Sequence, residues 1–595
     1  MTIGNNLLLR ISNNDPTLTE INYENEKKNN TIENLKELAE ALESNETVIK
    51  LSLANCDIED EDITIITTLL EKNHFLKELN LAYNEISDTG VYILIENLEK
   101  NTTITSIDLS NTSISNQALK KLFAVLTVNY TLTTLILNGL DIGDEGIKDF
   151  SLALKDNKSL TKISFAENKI SEEGISFFAD ALPTHSSLTE IDFTLNPLKK
   201  EGIEILTKGL EKNTTIKKLI LDGVECKSEG IKNISKMLVN NNSITKLNLA
   251  FNVLDDNDAG IIAEALTINQ SVKKLILNNN RITNKGLKTL AEAIKKNTTL
   301  TRLELQENDI DENGIKMLAK AFYVNNSVKS FYLGVDFDIA NEGVQEFGKA
   351  LKFNKSITLF SLLIDNINTE NIKVFIEAFK YNRSLTLFSV SLDKINEINV
   401  NAIEKLLNAT NPFVNINFFI NKIGKAGMPL LEQILENNTS VKKLSFGRDS
   451  VSSLEIPLLA RILEKNESIQ VINLQSNNIG EVGVELLAKA FKNNFSVIQL
   501  FYGWNTDWLT AQAEALANNL SIISLRPVEI DKEIKAEINT YLTRNQEISN
   551  CFALLTKLKG NRNILTSISC EETLEFFRNS QIELKIVDAG NQIKS

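Results

Sequence analysis

The chain has 595 residues, a hydrophobic fraction of 42% and a formal net charge of −15. That hydrophobic content suffices for a large buried core, which argues against bulk disorder, and the acidic balance disfavours nucleic acid as a partner. Four cysteines do not make a disulfide framework, and no apolar stretch approaches a transmembrane helix. The first residues lack the positive region of a secretory signal peptide. We therefore expect a soluble protein of a reducing compartment.

A repeat of 28 residues is the main feature of the chain. Residues 1–14 precede it and are predicted to form a small N-terminal cap, and the repeats are predicted to occupy residues 15–532. In each unit an anchor residue, usually asparagine, precedes a short apolar run; it is position 0 below. The anchors are Asn45, Asn73, Asn101, Asn129, Asn157, His185, Asn213, Asn241, Asn269, Asn297, Asn325, Asn354, Asn382, Thr410, Asn438, Asn466 and Asn494, with one extra residue between Asn325 and Asn354.

Each unit has two halves with different periodicity. In the unit of Asn73, the apolar residues Leu79 and Leu81 alternate at +6 and +8, which predicts a short strand with one buried face. Asparagine often follows at +11, as in Asn84, where its amide can satisfy backbone groups of the turn. The second half has helical spacing, and glycine at +17, as in Gly90, is predicted to allow close approach of the helix start.

The pattern LxxLxLxxNxI followed by xxxGxxxLAxAL resembles the ribonuclease-inhibitor-like class of leucine-rich repeats. Units of this class form the sensor ends of NOD-like receptors, much of the C-terminal half of tropomodulin, and numerous bacterial effectors. The resemblance implies an α/β fold, a right-handed solenoid of about nineteen repeats, with parallel strands on the concave face and helices on the convex face. The family's motif residues are structural, so the resemblance implies little about function.

Some units depart from the pattern. Aspartate replaces the asparagine at +11 in Asp336, Asp365, Asp393 and Asp449, and the extra residue lies in the first of these units. We expect a local distortion of the stack there.

The C-terminal residues 533–595 are predicted to form a helical cap and tail, with a small appended module as the alternative. Cys56 and Cys226 occupy repeat positions and are interpreted as core, so Cys551 and Cys570 are the remaining candidates for reactivity. The sequence contains no zinc-ligand spacing and no Walker loop, and we expect no metal and no cofactor.

Two sets of residues are predicted on the concave face, where positions +4, +5, +7, +9 and +10 should point outward. The basic set is Lys217, Lys218, Lys246, Lys273, Lys274 and Arg302. The apolar set is Tyr332, Leu359, Leu363, Leu387, Leu392, Phe419, Phe501 and Trp504. Exposed apolar patches and aromatics are typical of interfaces. Alternatively, the lysines only solvate the strands, and the tail covers the apolar set or the register shifts.

The sequence thus predicts a monomeric, non-catalytic scaffold that binds a partner protein. A composition rich in Asn, Lys and Ile suggests an AT-rich genome, and with the repeat class it suggests a bacterial effector delivered into the host cytoplasm. Two alternatives stay open. One is an effector enzyme or ubiquitin-ligase-like protein that uses a tail cysteine. The other is an intracellular regulator of actin or of a GTPase in a protist.

Overall fold

The structure is a computed structural model. It describes residues 5–502, with gaps at 17, 25–30, 336–340, 365–368, 393–394, 398–399, 409–414 and 495, together with the strand Ser524–Arg526. The predicted tail, 533–595, and the end of the predicted repeat region lie outside the described residues. Among the described residues, no helix combines the length and the apolar character needed to cross a membrane.

Strands and helices alternate along the described chain. The strands are β1 (Glu20–Asn22), β2 (Lys50–Ser52), β3 (Glu78–Asn80), β4 (Ser106–Asp108), β5 (Thr134–Ile136), β6 (Lys162–Ser164), β7 (Glu190–Asp192), β8 (Lys218–Ile220), β9 (Lys246–Asn248), β10 (Lys274–Ile276), β11 (Arg302–Glu304), β12 (Ser330–Val335), β13 (Leu359–Ile364), β14 (Leu387–Leu392), β15 (Asn415–Ile420), β16 (Val441–Phe446), β17 (Val471–Leu474), β18 (Gln499–Tyr502) and β19 (Ser524–Arg526).

The helices follow the same order. They are α1 (Asn5–Ser12), α2 (Thr31–Leu42), α3 (Asp60–Lys72), α4 (Asp88–Leu98), α5 (Asn116–Val125), α6 (Asp144–Asp156), α7 (Glu172–Ala181), α8 (Lys199–Leu210), α9 (Lys227–Asn240), α10 (Asp256–Ile268), α11 (Asn284–Lys296), α12 (Glu312–Phe322), α13 (Asn341–Phe353), α14 (Thr369–Tyr381), α15 (Val400–Asn408), α16 (Gly424–Leu435), α17 (Ile456–Lys465) and α18 (Gly480–Asn493).

The strands form one parallel sheet in which each strand pairs with the next along the chain. The pairing joins equivalent positions of neighbouring units, as in Lys218, Lys246 and Lys274. Paired strands lie about 4.8 Å apart, whereas packed helices need about 8–10 Å. The stack therefore bends with the sheet inside, and the α/β solenoid predicted from the repeat is confirmed.

The anchor asparagines join neighbouring units through a continuous set of hydrogen bonds. The Asn73 amide donates to the carbonyls of Leu42 at 2.6 Å and Asn45 at 2.9 Å, while its oxygen accepts from the backbone N–H groups of Phe75 and Leu76. Asn73 is only 1% exposed. Each described anchor asparagine thus satisfies buried backbone groups in its own unit and in the preceding one.

The asparagines at +11 do the same at the other end of the strand. Asn84 donates to the carbonyls of Leu53 and Leu81, both at 2.8 Å, and accepts from the backbone N–H groups of Cys56 and Ile58. The predicted role of this amide is confirmed.

The helix starts are also linked across units. The backbone N–H groups of Ser87 and Gly90 donate to the Asp60 carboxylate at 2.8 and 3.0 Å. A Cβ on Gly90 would lie 2.5 Å from that carboxylate oxygen, which explains the glycine at +17. The predicted close approach is confirmed.

The core lies between sheet and helices and contains two groups of buried phenylalanines. The first group is Phe123, Phe150, Phe165, Phe178 and Phe193, with ring centroids 4.9–6.2 Å apart. The second group is Phe322, Phe331, Phe347, Phe360, Phe375, Phe379 and Phe388, with ring centroids 4.8–6.2 Å apart.

The expected distortion begins at β12. The strands β1–β11 each have 3 residues, whereas β12–β15 have 6 residues each and continue to position +10. In the shorter units, position +10 instead has a positive φ, as in Asn55 and Asn111. The lengthened strands change which side chains reach the surface.

Candidate binding surface

The concave face exposes two successive residues where each strand begins. The backbone N–H groups of Lys217 and Lys218 both donate to the carbonyl of Thr189, at 2.7 and 3.0 Å. This shared acceptor interrupts the strand alternation, so both side chains are exposed. The same arrangement exposes Lys273 and Lys274, which donate to the Thr245 carbonyl. Positions +4 and +5 therefore both point outward, as predicted.

Four cations form a row at +5. Lys218, Lys246, Lys274 and Arg302 lie on β8–β11 as direct register partners. Parallel neighbours lie about 4.8 Å apart, so these side chains are adjacent. With Lys217 and Lys273 at +4, the structure brings the six predicted basic residues together; we call them the basic row.

The two ends of the basic row are neutralised within the protein. The Lys218 ammonium lies 2.5 Å from Glu190, which also contacts Lys162 at 3.2 Å. Burial opposes ionisation of Glu190, but the hydrogen bond from Lys218 and the charge of Lys162 outweigh it and lower the pKa of this carboxyl. At the other end, Arg302 lies 2.6 Å from Glu304 and 4.5 Å from the ring centroid of Tyr332.

The middle of the row differs. Lys246, Lys273 and Lys274 have no ion pair with any described residue. Like charges in adjacent positions repel each other. The central part of the row therefore presents cations that nothing in the described protein neutralises.

Four residues of the apolar set reach the concave face, and two of them, Leu359 and Leu387, are register partners. Tyr332, Leu359, Leu387 and Phe419 point outward on β12–β15 and are half-buried; we call these four the apolar patch. Leu363 and Phe501 lie in β13 and β18, but their side chains are outside the described residues, as is the whole of Trp504.

The prediction for Leu392 is wrong. Leu392 is 2% exposed and belongs to the core. Because β14 extends to +10, the alternation that buries Phe388 and Val390 continues to Leu392. The same reason buries Ile420 at the end of β15.

The sequence reasoning missed a second apolar feature. Tyr83, Leu195 and Phe251 occupy position +10 in the shorter units, with φ between 54° and 58° and 52–60% of each side chain exposed. Val253, two residues further on, has φ 58° and is 56% exposed. The signal was in the sequence, because the other short units have a polar residue or glycine at +10, as in Asn55, Gly139 and Glu167.

The described thiols and the buried imidazole are core groups. Burial, and then the charge of Asp258, raises the pKa of the Cys226 thiol to about 12. Cys56 is fully buried and donates to the Tyr23 carbonyl. His185 takes the anchor role, since its Nδ1 accepts from the Leu188 N–H at 3.1 Å. The interpretation of both cysteines as core is confirmed, whereas Cys551 and Cys570 lie outside the described residues. Within the described ranges, no group of three or more His, Cys, Asp or Glu could hold a metal ion.

Comparison with known proteins agrees with this architecture. The family "Leucine Rich repeat" matches residues 128–151, 240–262, 269–291, 296–319 and 465–488, and the family "TMOD/LMOD Leucine-rich domain" matches residues 3–115. With the fold, these matches show that the chain contains leucine-rich repeats. Its N-terminal part is similar to the tropomodulin and leiomodin domain.

Two solved structures are similar to parts of the chain. "Leiomodin-1 Actin-Binding Site 2 (ABS2)" has 28% sequence identity and a TM-score of 0.23, over 25% of this chain and 86% of that one. The tropomodulin C-terminal domain from Caenorhabditis elegans has 24% identity and a TM-score of 0.23, over 25% of this chain and 90% of that one. No curated protein matches the chain.

Proposed function

We propose that this protein is a non-catalytic, monomeric scaffold that recognises a partner protein through the concave face of its sheet. The observation that carries the proposal is the apolar patch, in which Tyr332, Leu359, Leu387 and Phe419 point outward from four adjacent strands. Interfaces are built around such aromatic and aliphatic anchors, and the regular sheet holds them in fixed positions.

The chemistry of the described residues supports a binding role over a catalytic one. A nucleophile must be accessible and ionisable, whereas Cys56 and Cys226 are buried and the pKa of Cys226 is raised to about 12. The ligase-like alternative depends on Cys551 or Cys570. Labelling of the folded protein with a thiol-reactive probe separates the binding role from the catalytic one. Selective, rapid labelling of Cys551 or Cys570 favours catalysis by the tail.

Actin is a second candidate partner. Residues 3–115 match the TMOD/LMOD leucine-rich domain, and a solved leiomodin structure of similar sequence is named as an actin-binding site. Cosedimentation of this protein with purified filamentous actin, and gel filtration with monomeric actin, test this candidate. A GTPase partner and delivery of the protein into a host cell stay predictions from the sequence.

The scaffold proposal is tested by capture from a eukaryotic lysate. The concave variant is Leu387→Lys with Phe419→Lys, and the matched control is Leu152→Lys with Val482→Lys, which places the same charges at exposed apolar positions on helices α6 and α18. Circular dichroism and the melting temperature establish that each variant is folded.

A partner that the wild type and the control retain, and that the concave variant loses, supports the proposal. Equal retention by all three proteins rejects the apolar patch as the interface. If a partner is found, binding measurements with the purified partner give the loss of affinity.

A further inference from the structure

Leucine, phenylalanine and valine occupy backbone positions that do not suit them. Leu195, Phe251 and Val253 have φ values of 55°, 54° and 58°. Side chains with a Cβ are disfavoured in this left-handed region, β-branched ones most of all, and glycine and asparagine are preferred. Equivalent turns use the preferred residues at Asn111 and Gly223. The backbone therefore does not account for these apolar side chains.

Burial does not account for them either. Leu195 is 52% exposed, Phe251 57% and Val253 56%. The Leu195 side chain lies against Gly223 in the next unit. A Cβ on Gly223 would lie 2.6 Å from the Cδ2 atom of Leu195. Phe251 occupies the same position one unit after Gly223. These three residues, which we call the apolar edge, form exposed apolar surface at the C-terminal ends of β7 and β9, a position that neither folding nor solvation favours.

The basic row lies on β8–β11 and shares β9 with the apolar edge. Lys246 on β9 and Lys274 on β10 are register partners without an ion pair among the described residues, and Lys273 lies beside them. Their mutual repulsion would be relieved by an anion from outside. Two independent observations thus place unsatisfied groups of different chemistry on one part of the sheet.

The geometry relates the two features. Five residues separate +5 from +10, and because the chain turns at +10 the two positions lie less than about 16 Å apart, while the four steps from β7 to β11 span about 19 Å. Ile220 and Ile276 lie between the two rows at +7 and are half-buried. The surface therefore has cations along one side, the apolar side chains that follow β7 and β9 on the other, and room for about 13 residues of helix.

We propose that the sheet from β7 to β11 binds an acidic, amphipathic segment of a partner protein. Acidic side chains of the segment contact Lys246, Lys273 and Lys274, while its apolar side chains contact Phe251 and Leu195. The inference rests on the proposed scaffold function and assigns the chemistry of the partner. A nucleic acid would satisfy the lysines, but its phosphate backbone offers nothing for the apolar edge.

The test uses fluorescein-labelled peptides of 16 residues and fluorescence anisotropy with the full chain. The first peptide is helical, with glutamate on one side and leucine on the other. A second has glutamine in place of glutamate, and a third has serine in place of leucine. A single-stranded oligothymidine of 20 nucleotides is the nucleic-acid probe.

We expect the first peptide to bind the wild type at least tenfold more tightly than the other two peptides and the oligonucleotide. Lys246→Glu with Lys274→Glu should weaken this binding at least tenfold. The control is Lys236→Glu with Lys288→Glu, which changes the net charge equally at exposed positions in α9 and α11 and should leave binding unchanged.

The variant Phe251→Asn gives a readout that a structural role would not give. Asparagine suits the left-handed turn, so the melting temperature should stay equal or rise, while peptide affinity falls about threefold to tenfold. A fall in melting temperature with unchanged affinity would make Phe251 a structural residue and overturn its assignment.

Three further results would overturn the inference: equal binding of all peptides, tighter binding of the oligonucleotide, or unchanged binding by the Lys246→Glu, Lys274→Glu variant. Each is distinguishable from failure of the scaffold proposal. If the concave variant, Leu387→Lys with Phe419→Lys, loses a captured partner while the peptide results are negative, the concave scaffold stands and only the acidic chemistry is rejected.

Discussion

Single anchor residues connect each repeat to the one before it. The Asn241 side chain donates to the carbonyls of Leu210 and Asn213, at 2.9 and 3.0 Å, and accepts from the N–H groups of Ser243 and Ile244. It is 2% exposed, so water cannot replace these partners. An alanine would leave several buried polar groups without a hydrogen bond.

We therefore expect Asn241→Ala to destabilise the protein by about 3 kcal/mol. The loss should appear in urea unfolding and as faster amide hydrogen exchange in β9 and in the end of α9. Asn240→Ala is the matched control, because Asn240 is exposed and its replacement should change stability by less than about 0.5 kcal/mol. Similar losses from both variants would show that the anchor amide contributes little.

The histidine anchor makes stability depend on pH. Burial, and then the charge of Lys158, lowers the pKa of His185 from 6.5 to about 4. Between these values the unfolded chain binds a proton that the folded chain does not, so stability falls as the pH falls from about 6.5 to about 4. Lowering the pH from 7.5 to 5.5 should cost about 1 kcal/mol through this group.

The variant His185→Asn should remove that loss. Asparagine also supplies an amide donor of the kind that the other anchors use, such as Asn213, which donates to the Leu182 carbonyl. Urea unfolding at pH 7.5 and 5.5 compares the variant with the wild type and with His74→Asn at an exposed site. If His185→Asn keeps the wild-type difference between the two pH values, then His185 is not its source.

At the scale of the helices, two glycines make opposite predictions. A Cβ on Gly209 in α8 would lie 2.6 Å from the Ala179 carbonyl oxygen of α7, whereas a Cβ on Gly260 in α10 would meet nothing within 4 Å. Gly260→Ala should stabilise the protein by about 0.5–1 kcal/mol, because alanine is the better helix former. Gly209→Ala should destabilise it by about 1–3 kcal/mol, because the two helices must move apart.

Urea unfolding of the two variants measures both effects in one experiment. Each change adds one methyl group within a helix, so a difference in sign isolates the contact between helices. Stabilisation by both substitutions would show that α7 and α8 tolerate a wider separation than the structure has.

The sequence predicted the strands better than the turns that end them. Alternation at +6 and +8 depends only on which face is buried, and the side chains that the structure describes at these two positions are buried. Position +10 depends on whether the strand continues, as the exposed Phe251 and the buried Leu392 show. In the unit of Asn280, the side chain bonds the carbonyls of Leu249 and Leu277 and so helps to hold the turn. An ionised aspartate at +11, such as Asp393, has no donor for these carbonyls.

The binding surface was likewise predicted only in part: its basic row was predicted and its apolar edge was not. The basic row could be predicted from the register alone, because the period of the repeat specifies which residues are paired. To predict the apolar edge, one would need to know that +10 adopts a left-handed conformation, in which leucine and phenylalanine are unfavourable. Their departure from the polar residues and glycines of the equivalent positions was visible in the sequence, but its meaning came from the backbone.

Over the whole molecule, each unit contacts mainly its two neighbours, so stability is close to a sum of local terms. The two phenylalanine groups illustrate this. Phe193 ends the first group and Phe322 begins the second, and no ring contact joins the groups in the described core. A substitution that destabilises one phenylalanine group should therefore leave the stability of the other group unchanged.

We expect Phe150→Ala to destabilise its neighbourhood by about 3–5 kcal/mol, because it leaves a cavity among buried rings. Hydrogen exchange followed by mass spectrometry should show lost protection in α5, α6 and α7 and unchanged protection in α13 and α14. Phe360→Ala should give the reciprocal pattern. Loss of protection across both groups in either variant would mean that the solenoid unfolds as one unit, and the nearest-neighbour description would then be wrong for this chain.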